Sequence, residues 1–255
     1  SYKNLKIAQW FLDPLIKNGP DFEKNKTRIL DKIEYTDANF ITTSPDALNF
    51  LPKKKLSLFM PNPTDPSFEV LNNYENDQCS MDVFFALSHG VHRGILKPGK
   101  YDERADFVNR LVEVTPNVKF DLYGINNIQP IWADSFLKSI SNAKMGVNLS
   151  RGNPIKYYSS DRITQLIGNG LLTFIHKDTL YNNFFTNKEV IFYSNLNDLS
   201  EKIQRFARDD KTRKKIAKNG KIKYMKYFNS TVVANYIINK TFELKNKDKF
   251  LWENK

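Results

Sequence analysis

Cysteine is almost missing from this chain: Cys79 is the only one in 255 residues. A disulfide within the chain and a cysteine-based metal site are excluded, and Cys79 reads as an idle thiol. Histidine is scarce too. His89, His92 and His176 show no zinc spacing such as His-Glu-x-x-His, so no tightly held metal is expected. No stretch reaches the roughly 20 uninterrupted apolar residues that span a bilayer. The opening Ser1-Tyr2-Lys3-Asn4 lacks the basic-then-apolar form of a signal peptide. The expectation is a soluble, cytoplasmic protein, unless targeting residues were cut away. No Gly-x-Gly-x-x-Gly stands between an early strand and a helix, which argues against a dehydrogenase. Internal repeats and low-complexity tracts are also lacking.

What the chain does have is enough apolar residue, 40%, for a sizeable core, together with a formal charge of +11. Much of that charge gathers near the C-terminus. Lys211, Arg213, Lys214, Lys215, Lys218, Lys221, Lys223 and Lys226 are interleaved there with Ile216, Ala217, Ile222 and Met225 at helical intervals. A solvated helix face is the favoured reading. Peripheral contact with an anionic membrane, at its inner face, is the next, and nucleic acid is disfavoured because no recognition module is visible.

Short apolar runs alternate with longer runs of helical period, the pattern of a doubly wound α/β fold with parallel sheets. Strands are expected at residues 5–12, 39–42 and 56–60, with a helix at 22–33 and a short one at 45–50. Pro61-Asn62-Pro63-Thr64-Asp65-Pro66 then stops regular structure, because proline removes amide donors and restricts its predecessor. A polar stretch, residues 72–79, looks like a linker. A second series follows, with strands at 82–87, 118–123, 144–149, 171–175 and 190–193. Its helices are expected at 102–114, 132–141, 159–167 and, shorter, 180–185. Three more close the chain at 196–207, 212–227 and 231–244. The expectation is one complete Rossmann-like domain preceded by part of another.

Open parallel sheets bind ligands at the carboxyl ends of their strands. Two such ends are unusual. After the first strand of the second series comes Ser88-His89-Gly90-Val91-His92-Arg93-Gly94-Ile95-Leu96-Lys97, where glycines let amides approach an anion and Arg93 and Lys97 can neutralise a diphosphate. The other runs Asn148-Leu149-Ser150-Arg151-Gly152-Asn153-Pro154-Ile155-Lys156-Tyr157-Tyr158-Ser159-Ser160-Asp161-Arg162. Ser159 or Ser160 would cap the next helix, whose free amides attract phosphate. Arg151, Lys156 and Arg162 gather beside that positive helix end and repel one another unless an anion joins them.

Gln165-Leu166-Ile167-Gly168-Asn169-Gly170-Leu171-Leu172-Thr173-Phe174-Ile175, a glycine-ended helix followed by an apolar strand, resembles the Glu-Ala-x-Ala-x-Gly-x-Pro-x-Ile pattern in the donor domain of GT-B glycosyltransferases, especially the spore-protein-like branch. Val190-Ile191-Phe192-Tyr193 with Leu196-Asn197-Asp198-Leu199 is similar to that family's late strand and helix start. Asp209-Asp210-Lys211-Thr212-Arg213 and Ala217-Lys218-Asn219-Gly220 are similar to its last helices. The resemblance covers roughly residues 81–228. It implies a partial N-terminal, acceptor-side Rossmann-like domain at 1–75, a nucleotide-sugar donor domain at 76–228, and a C-terminal crossover helix and tail at 229–255.

By position, the resemblance makes Arg93 and Lys97 the catalytic cations that stabilise the departing nucleoside diphosphate, in a loop with His89 and Gly90. Tyr123-Gly124 matches the strand-end glycine before the nucleobase pocket. Gln165 stands where retaining members carry the glutamate that binds the ribose hydroxyls, and Tyr157 where they carry an earlier glutamate near the sugar; neither is acidic here. Tyr158-Ser159-Ser160-Asp161-Arg162 also resembles the fucosyltransferase Tyr-x-Thr-Glu-Lys helix start, in which Asp161 would hold the ribose. The donor-binding set is then His89, Gly90, Gly124, Lys156, Tyr157, Ser159, Ser160, Asp161, Arg162 and Gln165.

The implied function is a metal-independent glycosyltransferase with a nucleotide sugar as substrate and no cofactor. Its acceptor would be a glycan or a lipid-linked one, in cell-surface polysaccharide synthesis; nucleic acid is not an expected partner. A non-catalytic nucleotide- or sugar-phosphate-binding module is the alternative. The chain is shorter than two full domains require, so it is read as excised or naturally shortened, or as drawing its acceptor site from elsewhere.

Overall fold

Runs of apolar residues too short for helices become parallel strands when helical crossovers cover both of their faces. The computed structural model describes residues 4–17, 19, 21–88, 91–92, 95–96, 102–244 and 249–253. Strands β1 (Ala8–Phe11), β2 (Ala38–Ile41) and β3 (Ser57–Phe59) form a parallel sheet in the order β1-β2-β3. Helix α1 (Phe22–Ile33) crosses from β1 to β2 and buries Ile29 and Ile33. All four residues of β2, the central strand, are buried.

The second sheet holds five parallel strands: β4 (Met81–Ala86), β7 (Phe120–Tyr123), β8 (Ala143–Asn148), β9 (Leu172–His176) and β10 (Ile191–Tyr193). Between β4 and β7 lie an antiparallel pair, β5 (Val91–His92) and β6 (Ile95–Leu96), and helix α2 (Glu103–Glu113). The other helices are α3 (Ala133–Ser141), α4 (Arg162–Gly168), α5 (Leu196–Arg208), α6 (Asp210–Tyr227) and α7 (Ser230–Thr241). The strand order is β10-β9-β8-β4-β7. The chain steps outward from β4 to β7, then jumps to the other side of β4 and continues through β8. The ends of β4 and β8 therefore mark the point where the winding direction reverses, and a doubly wound sheet opens a crevice there.

The architecture is α/β, with a Rossmann-like parallel sheet preceded by part of another. Local departures from the sequence reading have tertiary causes. Helix α4 begins at Arg162 and not at Ser159, whose buried hydroxyl is engaged with the Asn148 carboxamide at 3.0 Å. The short helices collapse to single turns at Pro45–Ala47 and Tyr181–Asn183. The stretch read as a linker is docked. Asn73 is buried, and its Nδ2 donates to the carbonyls of Ile140 (2.6 Å) and Ala143 (2.8 Å) where α3 meets β8. The pair β5 and β6 had no signal in the alternation of apolar residues.

One core joins the two sheets. Ala38, Phe40 and Met60 of the first side meet Ile163, Ile167, Tyr224 and Phe228 of the second. Helix α7 packs back on β2, with the Phe40 and Tyr236 rings 5.7 Å apart. Tyr236 meets Phe250 and Trp252 in turn edge to face. The basic run on α6 is partly consumed by the fold. Arg213 is fully buried and grips Asp210 (2.6 Å), Lys214 pairs with Asp77 and Asp210, Lys221 donates to the Leu71 carbonyl (2.5 Å), and Lys223 pairs with Glu189. Lys211 and Lys215 have no ion pair among the described residues.

Gly146 in β8 sets the distance between the sheet and α4. A Cβ there would stand 2.3 Å from Leu166 Cδ2, a side chain with no exposed surface. Gly146→Ala must displace the buried Leu166 side chain that seats α4 on the sheet. Overpacking of this kind costs about 1–3 kcal/mol, so urea unfolding is expected to show a lower midpoint at unchanged slope.

Candidate functional site

A cleft of about 860 Å³ opens at the reversal point between β4 and β8. Ala86, Leu87 and Ser88 at the end of β4 form its floor, and Ser160, Asp161, Arg162 and Gln165 form one wall. Ile131, Trp132 and Phe136 bring an apolar face from the start of α3. The segment connecting the two sheets contributes Phe68 and Glu69, while Asp13, Lys24 and Arg28 face in from the first sheet's side.

Arg162 occupies the crevice itself. Its Nη1 donates to the Leu149 carbonyl (2.8 Å) and to Ser160 Oγ (3.1 Å), and its Nη2 donates to the Ala86 carbonyl (2.9 Å). The guanidinium lies 4.8 Å over the Phe85 ring. It thus ties together the carbonyls at the ends of β8 and β4. Guanidinium carries five N–H donors; these bonds use three, and the rest have no partner among the described residues.

The other arginines of the cleft are compensated. Arg104, buried, grips Asp102 with two bonds (2.8 and 2.6 Å), Arg151 pairs with Asp21 (2.8 Å), and Arg28 pairs with Asp13. Arg162 has no carboxylate within ion-pair distance among the described residues. Burial first, and the Arg104 charge second, push its pKa down to about 9, which still leaves it protonated at neutral pH. A cation held in this way, with no direct ion pair among the described residues, favours an anion in the cleft.

The structure brings four of the expected site residues, Ser160, Asp161, Arg162 and Gln165, onto one wall. Gly124 lies behind the floor, at the end of β7. Its φ is +74°, and a Cβ there would meet the Leu87 carbonyl oxygen at 1.9 Å. Lys156, Tyr157 and Ser159 lie away from the cleft. Lys156 pairs with Asp46 at 2.6 Å, far away in sequence. Tyr157 is buried at φ +61°, its ring 4.9 Å from Phe59 and 4.6 Å from Phe184, and its hydroxyl accepts from Asn183. Ser159 accepts from Asn62 through its carbonyl (2.9 Å). His89, Gly90, Arg93 and Lys97 lie outside the described residues. Among the described residues, no cluster of three or more His, Cys, Asp or Glu could hold a metal ion, and no helix is long and apolar enough to cross a membrane.

Sequence reasoning passed over Arg104, Trp132 and Glu69, all of which line the cleft. The only signal for Arg104 was Asp102 before it, a helix cap that also binds its guanidinium. Glu69 sat in a proline-rich stretch with no pattern.

A sequence-family model described as glycosyl transferase-like matches residues 104–239, more than half of the chain. The chain belongs to the glycosyltransferase-like family. No curated protein sequence shows significant similarity to it. Solved structures share its fold. HepE of Anabaena in complex with UDP and glucose superposes at a TM-score of 0.65, with 10% identity over 94% of this chain and 72% of HepE. A TarM variant of S. aureus, bound to fondaparinux, alpha-GlcNAc-glycerol and UDP, gives 0.65 with 15% identity, over 94% of this chain and 51% of TarM. Sucrose-phosphate synthase of Thermosynechococcus elongatus gives 0.62 with 13% identity, over 93% of this chain and 67% of the synthase. The chain thus spans about half the length of TarM.

Gly124 offers a test of how the glycosyltransferase-like sheet shapes its floor. Gly124→Ala combines a left-handed backbone with a clash against the Leu87 carbonyl. Each effect costs about 1–3 kcal/mol, so a loss of about 2–6 kcal/mol in unfolding free energy is expected by chemical denaturation.

Proposed function

We propose that this protein transfers a sugar from a nucleotide-activated donor to a glycan or lipid-linked acceptor, and that the cleft at the reversal point holds the donor's diphosphate. The observation that carries the reading is Arg162: a guanidinium with unused donors and no ion-paired carboxylate among the described residues, set at the strand ends where a doubly wound sheet binds ligands. The likeness in fold to HepE, whose complex contains UDP and glucose, and to TarM, whose complex contains UDP, supports it.

In this reading Arg162 meets the diphosphate, Ser160 and Asp161 line its path, and Gln165 faces the ribose. Gly124 shapes the base pocket against Trp132, which offers an apolar face. Lys156, Tyr157 and Ser159 act from behind by fixing the turn that delivers Arg162. Arg93 and Lys97, with His89 and Gly90 beside them, supply the catalytic cations. As the glycosidic bond breaks, the diphosphate departs as an anion. Preplaced side-chain cations stabilise that growing charge more than they stabilise the ground state, which is what lowers the barrier. Side-chain charge does this work without a metal. The setting we propose is cell-surface polysaccharide synthesis at the inner membrane face, with the unpaired Lys211 and Lys215 of α6 available for peripheral contact.

Thermal unfolding in the presence of nucleoside diphosphates tests the donor half of this reading. At a hundredfold excess over Kd, binding should add about 2.7 kcal/mol and raise Tm by roughly 5–10 °C. No stabilisation by uridine, guanosine, adenosine or thymidine diphosphate would remove it. Stabilisation without donor hydrolysis or transfer would reduce the protein to a binding module. For the cations, Arg93→Ala and Lys97→Ala should each lower turnover about 10²-fold to 10³-fold; turnover near wild type in both would cancel their assignment.

A further inference from the structure

We infer that Glu69, on the segment connecting the two sheets, reads the hydroxyl groups of the nucleoside in this cleft. Glu69 lines the cleft and is nine-tenths buried. One of its carboxylate oxygens is fixed: Oε2 accepts from the Asp65 amide at 2.7 Å and from Thr64 Oγ1 at 3.0 Å. The other, Oε1, has no hydrogen-bond partner among the described residues and is not sealed from solvent. The stem is fixed as well. Gly168, at the end of α4, leaves room where a Cβ would stand 2.5 Å from Glu69 Cγ and 2.7 Å from Thr64 Oγ1. The carboxylate is thus held across the last turn of α4 with one acceptor oxygen free.

The chemistry of that oxygen narrows its ligand. A carboxylate accepts hydrogen bonds and repels phosphate, so it is matched by a neutral donor such as a hydroxyl. Arg162 and Gly168 are the first and last residues of α4, so their backbones are ~9 Å apart along the axis at 1.5 Å per residue. The anion-seeking end and the hydroxyl-seeking end of the cleft therefore lie one short helix apart, with Gln165 between them on the same wall. A nucleoside diphosphate presents that sequence of groups: phosphates, then the ribose hydroxyls. Laid along α4 with its phosphates at Arg162, it brings the 2′ and 3′ hydroxyls toward Glu69. The reverse orientation would set phosphate against carboxylate. This role presupposes the nucleotide reading of the cleft.

Titration calorimetry on the intact protein tests it, using uridine, guanosine and adenosine diphosphates, the 2′,3′-dideoxy form of the one that binds best, and inorganic pyrophosphate. A charge-assisted hydrogen bond accounts for about tenfold to a hundredfold in affinity. The wild type is expected to prefer the ribonucleotide over its dideoxy form by that factor. Glu69→Gln can keep the Asp65 and Thr64 contacts with its amide oxygen, and it turns a donor toward the cleft. It should weaken the ribonucleotide by a similar factor, abolish the preference and leave pyrophosphate binding unchanged. Equal binding of both nucleotides by the wild type, a comparison that needs no variant, would overturn the role alone. So would a loss of pyrophosphate affinity in Glu69→Gln equal to its loss of nucleotide affinity. Failure of all three diphosphates to bind the wild type would overturn the nucleotide reading, and this role with it.

Discussion

The reversal of strand order between β4 and β8 leaves two carbonyls, those of Ala86 and Leu149, facing the same crevice, and the Arg162 guanidinium closes it by donating to both. Much else depends on that bridge. It fixes where α4 begins, because Arg162 is the helix's first residue. It also places a positive charge, stripped of much of its water, at the one place on the sheet where the topology opens a ligand site. Arg104 is close enough to depress the Arg162 pKa further, yet its own charge is answered by Asp102. Among the described residues Arg162 is therefore an arginine of the crevice that no carboxylate pairs with directly.

The rest of the structure holds the cleft's far wall in place. Tyr224 on α6 donates to the Asn62 carbonyl (2.8 Å), and Asn62 donates to the Ser159 carbonyl three residues ahead of Arg162. Asp65 accepts from Ser230 at the start of α7, and Thr64 pairs with Asn229. The connecting segment is thus stitched to α6, to α7 and to the turn before α4. A diphosphate resting on Arg162 would touch a network that already runs through both sheets, which is why the first sheet, only three strands wide, is not a loose appendage.

The fold was legible because buried parallel strands and amphipathic helices write different periods into a sequence. The span of α1 coincides with the expected 22–33, and most other elements shift by one to three residues. Part of the site was legible for a related reason: strand-end loops carry ligands, and Ser160, Asp161, Arg162 and Gln165 lie just past such an end. What could not be read depended on partners distant in the chain. Lys156 answers Asp46, 110 positions away, and Ser159 answers Asn62, 97 positions away. Tyr157 is drawn into the core by Phe59 and Phe184 at a backbone angle that tyrosine seldom adopts. Glu69 carried no local pattern at all. Its place in the cleft comes from Thr64, Asp65 and the missing side chain of Gly168.

Arg162 is a cation awaiting an anion, and the most direct test of that is the unfolding free energy of the wild type and Arg162→Met, each with and without inorganic pyrophosphate. Methionine fills similar space but carries no charge. Pyrophosphate should stabilise the wild type and stabilise the variant much less, whatever the variant's stability alone. Equal stabilisation of both proteins would show that the anion binds elsewhere, and the assignment of this cleft would fall.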